Sequence, residues 1–294
     1  MKRVAALLLF LVITTACRED LKWKVEEKPP EPEATPAAPI AEATLLPTPL
    51  STPAFTGRFR VDYPQMKTQE HTDLNAWLQQ KNFPQNHAQE LNEIIALPED
   101  VTISVTECIA DDGSNVLNAF YWKKTRRIDL CIGFFESMAN MYFDGKNHQE
   151  ALTAGYIVFQ FITIHEVGHA LIDVLKLPIT GREEDAVDQL AVFTLTDDDS
   201  PPVALAAGHY FDKSSSARSE TFSDEHGFSK QRFFNFTCWV YGQNPTRFSH
   251  LINDGFLPQA RAVRCEHEYQ QIKTAWGKLL GPYIKQVEES GAQK

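Results

Sequence analysis

With 294 residues and 43% hydrophobic side chains, the chain is long enough to bury a real core, as one large domain or two ordinary ones. Its net charge of −11 and pI near 5.3 argue against a nucleic-acid partner, because phosphate binding needs clustered Lys and Arg to displace counterions. The short basic runs, Lys123-Lys124 and Arg126-Arg127, read as solvated turn residues.

Residues 1–17 have the layout of an export signal: Lys2-Arg3, an apolar run from Val4 to Ile13, then Thr14-Thr15-Ala16 before Cys17. The apolar run is too short to span a bilayer core of about 30 Å. Its end resembles a bacterial lipoprotein box, which implies cleavage, a lipid on Cys17 and membrane attachment in the cell envelope. Thr14 stands where such boxes usually carry Leu, so an ordinary cleaved signal is the alternative. Export also frames the remaining cysteines, since disulfides persist outside the cytosol. Cys108, Cys131, Cys238 and Cys265 allow three pairings or none. The favoured one joins Cys108 to Cys131 and Cys238 to Cys265, each pair within one segment on either side of the motif described below.

Residues 18–56 form a Pro/Glu-rich tether, and eight of the seventeen prolines fall between Pro29 and Pro53. With few large apolar side chains, this stretch cannot offset its ordering entropy and is expected to be an extended spacer. A single folded domain is expected over 57–294, with no internal repeat. Strand patterns occupy 59–63, 101–106, 118–122 and 127–131, the last two forming a hairpin around a polar turn. Helical spacing covers 73–80 and 84–96, then 134–141, 149–175, 183–195, 202–211, 230–241 and 261–284. The class is α+β, a small sheet followed by a mostly helical body.

The helix expected over 149–175 is apolar nearly all round, so its polar residues need a reason. His165-Glu166-Val167-Gly168-His169 places two imidazoles one turn apart on one face, within reach of a single ion. Zinc suits this chemistry: it takes imidazole nitrogen at about 2.0–2.1 Å and keeps an open position when three protein groups hold it. Glu166 leans to the same side as His169, placed to take a proton from the attacking water and return it to the leaving amine. Burying such groups without a metal would cost several kcal/mol. A third histidine at the metzincin spacing is absent, its places being held by Ile172 and Leu175.

Past a break at 176–181, Glu183-Glu184-Asp185 and Asp188 crowd one helix entry. Here the sequence resembles the gluzincin metallopeptidases, whose second helix carries Glu-x-x-x-Asp. The resemblance implies a zincin-like fold, one zinc ion per chain, Glu184 as the third ligand and Asp188 as the acceptor that fixes His165. Asp185 is the alternative ligand, and Glu183 and Asp185 otherwise read as charges favoured by the helix dipole. Three stretches extend the likeness to a bacterial family of metallopeptidase-like proteins with no assigned substrate: Asn118 to Tyr121 with Leu130-Cys131, His165 to Asp173 with Gly181 to Ala191, and Asp224-Glu225-His226 with Gln231 to Asn235 and Cys238 to Gly242.

Peptide hydrolysis also needs a donor to the oxyanion. His226 is the preferred candidate, in a polar segment where a carboxylate could orient it, with Tyr210, Tyr241 and Arg232 behind it. The edge of strand 118–122 is expected to accept an extended peptide by main-chain hydrogen bonds. The expected activity is zinc-dependent peptide hydrolysis in the envelope. Hydrolysis of cell-wall peptide amides and a non-enzymatic zinc-containing binding lipoprotein are the rivals.

Overall fold

The computed structural model describes residues 55–143, 145, 147–196, 201–215 and 223–285. The expected export signal, the Cys17 lipidation site and the tether up to residue 54 lie outside the described residues. The chain divides after Ser51, and the unit that follows is α+β.

Strand β1 (Phe59–Asp62) is followed by helices α1 (Gln69–Gln80) and α2 (Gln85–Ile94), then by strands β2 (Val101–Thr106), β3 (Ala119–Trp122) and β4 (Arg127–Cys131). They form one sheet in the order β1-β2-β4-β3, with β3 antiparallel to β4 and the other pairs parallel. Central β2 is buried on both faces, as a strand between two parallel neighbours must be; Val101, Ile103, Ser104 and Val105 have no exposed surface. Ser104 keeps a partner there, accepting from Arg127 Nη2 at 2.6 Å. β3 ends the sheet order and borders the cleft described below.

Helices α3 (Ile132–Tyr142), α4 (His148–Val174), α5 (Glu183–Thr194), α6 (Pro201–Ser214) and α7 (Ser229–Gln243) build the body, followed by two short turns of helix, α8 (His250–Asn253) and α9 (Gln259–Ala262), and by α10 (Cys265–Leu280). α4 starts where Asn147 accepts from the Glu150 N–H at 3.1 Å. It is apolar and long enough to cross a membrane, yet it is mostly buried, because α3, α5, α6, β3 and β4 all pack on it. Its uniform apolarity is therefore that of a central core helix.

The helix expected over 261–284 is broken. α9 ends at Ala262, α10 begins at Cys265, and Pro282 sits in a final 3-10 turn before Ile284 bridges back to Ile95. The break lies at a tertiary contact: Cys265 is bonded to Cys238, and its carbonyl lies so close to Gly242 that a Cβ there would come within 2.1 Å of its oxygen. α7 and α10 thus meet backbone to backbone. The second disulfide, Cys108–Cys131, joins the ends of β2 and β4.

Candidate metal centre

α4 carries His165 and His169 on one face, and α5 approaches that face through its acidic first turn. Gly168 allows the approach, since a Cβ there would lie 2.8 Å from Val187 Cγ1. The consequence is convergence on Glu184. His165 Nε2 stands 3.1 Å from Glu184 Oε2, His169 Nε2 3.3 Å from Oε1, and His226 Nε2 3.0 Å from Oε2. One donor atom from each of His165, His169 and Glu184 falls within 4.8 Å of the others.

Both ligand-candidate histidines give their other nitrogen to a carboxylate. His165 Nδ1 meets Asp188 Oδ1 at 2.9 Å, and His169 Nδ1 meets Glu183 Oε1 at 2.8 Å. Such an acceptor fixes a metal-binding ring's orientation and leaves Nε2 facing the ion. Asp188 is itself held by Arg232, which donates Nε at 2.8 Å and Nη2 at 2.7 Å while its guanidinium lies 3.7 Å from the Phe211 ring centre. Asp188 and Arg232 are both buried, so each neutralises a charge that burial would otherwise penalise.

The protonation states express the same crowding. Burial opposes a charged His165, but its bonds to Asp188 and Glu184 outweigh that and push it up to about 9. Burial likewise opposes charge on His169, and Glu184 again raises it. Glu184 would be raised by burial, yet the hydrogen bonds of three imidazoles hold it far below the usual carboxylate range. Asp188 also stays below its ordinary value, burial being overcome by Arg232 and His165. Rings with a carboxylate at each nitrogen are satisfied only as imidazolium, and a divalent cation between the Nε2 atoms and Glu184 would take the place of those protons. The residues present therefore fit a metal of the kind that binds two imidazoles and a carboxylate.

Glu166 is buried beside this cluster, and burial raises its carboxyl above the ordinary value. With His169, Glu184 and His226 it lines one side of a cleft of about 340 Å³, whose other side is the stretch 118–121 with Lys123. His226 is oriented by Asp224, which accepts its backbone N–H at 2.8 Å and sits 3.2 Å from its Nδ1. The other oxyanion candidates lie elsewhere: Arg232 in the buried pair, Tyr210 among core aromatics, and Tyr241 outside the cleft lining. Asp185, the alternative ligand, pairs with Arg182 at 2.8 Å and stands outside the cluster.

Glu183 corrects the expectation from sequence, being a partner of His169 and not only a helix-dipole charge. Four carboxylates within two turns were more than a dipole needs, and that excess was the available signal. Lys123, in the turn after β3, stands 3.7 Å from Glu183 Oε2, and Tyr121 donates to Asp173 Oδ2 at 2.9 Å. The hairpin is thereby tied to both helices that carry the candidate ligands, a link that spacing alone did not reveal.

Residues 63–280 match the family DUF4344, whose description is "Putative metallopeptidase". The chain belongs to this family. The matched span takes in β2 through α10 and every residue of the cluster, and membership carries with it a metal-dependent hydrolytic function. Neither the curated proteins nor the solved structures yield a match.

Proposed function

We propose that this member of the family is a zinc peptidase of the gluzincin type, with a zincin-like fold, exported and lipid-anchored through Cys17, hydrolysing extended peptides in the bacterial cell envelope. The observation that carries the reading is the set of His165, His169 and Glu184 donors within 4.8 Å, with Glu166 beside them on an open cleft. A zinc ion held there supplies Lewis acidity, polarising the scissile carbonyl and acidifying the attacking water.

The chain's own groups do the rest. Glu166 takes the water's proton on a carboxylate oxygen and delivers it to the leaving nitrogen, and its raised pKa makes it a stronger base than an exposed glutamate. Asp188 and Glu183 hold the two imidazoles in register. His226 presents Nε2 at the cleft as donor to the developing oxyanion, its ring set by Asp224. β3, last in the sheet order and lining the cleft, offers main-chain groups to an extended substrate. The export reading rests on residues 1–17 and on the two disulfides.

The test pairs zinc content with cleavage of unfolded proteins and of cell-wall peptides, for wild type and Glu166→Gln. Both should hold one zinc, with cleavage by the variant reduced about 10²–10⁴-fold. Undiminished cleavage by Glu166→Gln would refute the mechanism. A zinc-loaded wild type that cleaves neither class would favour the binding lipoprotein.

A further inference from the structure

Another face of α4 borders a second cavity of about 540 Å³, enclosed by α2, α4, α5, α7 and α10, which shares no lining residue with the metal cleft. Its walls are largely aliphatic. Ile164, Val167 and Leu171 contribute a stripe from α4, Leu190 comes from α5, and Ile94 stands at the rim half exposed. The volume lies in the range of small-molecule sites, which combine an apolar lining with a few polar groups.

Lys273 is the sole charged residue of the lining and makes no ion pair among the described residues. A lone cation beside aliphatic walls, in a chain of net charge −11, selects an anionic head on an apolar body.

We propose that this cavity binds a single-chain fatty carboxylate. The acyl chain packs along the buried stripe of α4 and covers Ile94 and Ile284, which are 51% and 44% exposed, removing their apolar surface from water. The carboxylate meets the Lys273 ammonium at the exposed end of the cavity. The site stands apart from the metal chemistry and does not depend on the activity proposed above.

Laurate and dodecylammonium share a chain and differ in the sign of the head, so titrating each into the full chain below its micelle concentration isolates the charge. Laurate should saturate one site and bind about tenfold tighter than the cation, a difference of about 1.4 kcal/mol that combines attraction of the anion with repulsion of the cation. Lys273→Glu should invert that preference, and Ile94→Asn, which removes apolar surface without adding charge, should weaken both, with melting temperatures unchanged because both positions are exposed. Equal affinity for the two amphiphiles overturns the proposal, as does laurate binding indifferent to both substitutions. Binding of an apolar acidic peptide without any binding of laurate overturns it too.

Discussion

Removing the Glu183 carboxylate should loosen the metal without unfolding the protein. Its Oε1 lies 2.8 Å from His169 Nδ1, so Glu183→Ala frees the ring to rotate and takes negative charge from behind a ligand. Loss of such an outer acceptor costs about 10- to 100-fold in metal affinity. The structure points to the lower end, because the Glu183 side chain is 32% exposed and shares its charge with Lys123. The expected loss is about tenfold, or roughly 1.4 kcal/mol. Glu183→Gln keeps an acceptor but not the charge, and since a charge-assisted bond is about twice as strong as a neutral one, it should lose only about threefold. Zinc competition against a chromophoric chelator at fixed pH measures both, and thermal melts of the metal-free proteins check the fold. If Glu183→Ala binds zinc within about twofold of wild type, the carboxylate does not position His169 and the contact is incidental.

Arg232→Met strands the buried Asp188 with only His165 for a partner and should lower stability by about 3 kcal/mol in urea unfolding, at the lower end of the cost of breaking a buried pair. An unchanged midpoint would contradict the charge balance described here. Gly168→Ala must move Val187, whose Cγ1 would stand 2.8 Å from the new methyl, so α5 should shift and carry Glu184 with it. An overpacking cost of about 1–3 kcal/mol and weaker zinc binding are expected, with zinc binding recovered when Val187→Ala is added. A single variant that melts and binds zinc like wild type would show that Gly168 has no part in the helix approach. Burial pushes His87 down to about 4, so the folded ring stays neutral while the unfolded ring gains a proton below about 6.5. Its contribution is therefore complete at neutral pH and falls by roughly 1.4 kcal/mol per pH unit between about 6.5 and 4. His87→Leu should flatten that slope between pH 7 and pH 5, and an identical slope in both proteins would place the titration elsewhere.

Local pattern was enough for much of the architecture. All four strands follow alternation and turn residues, and α3 to α7 lie within a few residues of where 3.6-residue spacing put them. Element existence depends on the chain's own periodicity, and boundaries depend on caps such as Thr68 and Asn147, whose side chains accept the first-turn N–H groups. The expected last helix failed at Cys265 because its limit is set by contact with Gly242, more than twenty residues upstream and silent in any local window.

The candidate site divides along the same line. The sequence by itself determined that two imidazoles and a glutamate share one turn of an apolar helix, and that Glu184 and Asp188 share one face of the next, because helical pitch turns spacing into direction. Only the tertiary structure decided that Glu183 reaches His169, that Arg232 holds Asp188, that His226 meets Glu184, and that Lys123 brings the hairpin to the same cluster. These contacts join elements whose relative placement depends on how close two backbones can come, at Gly168 against Val187 for one, and no periodicity within a single element encodes that distance.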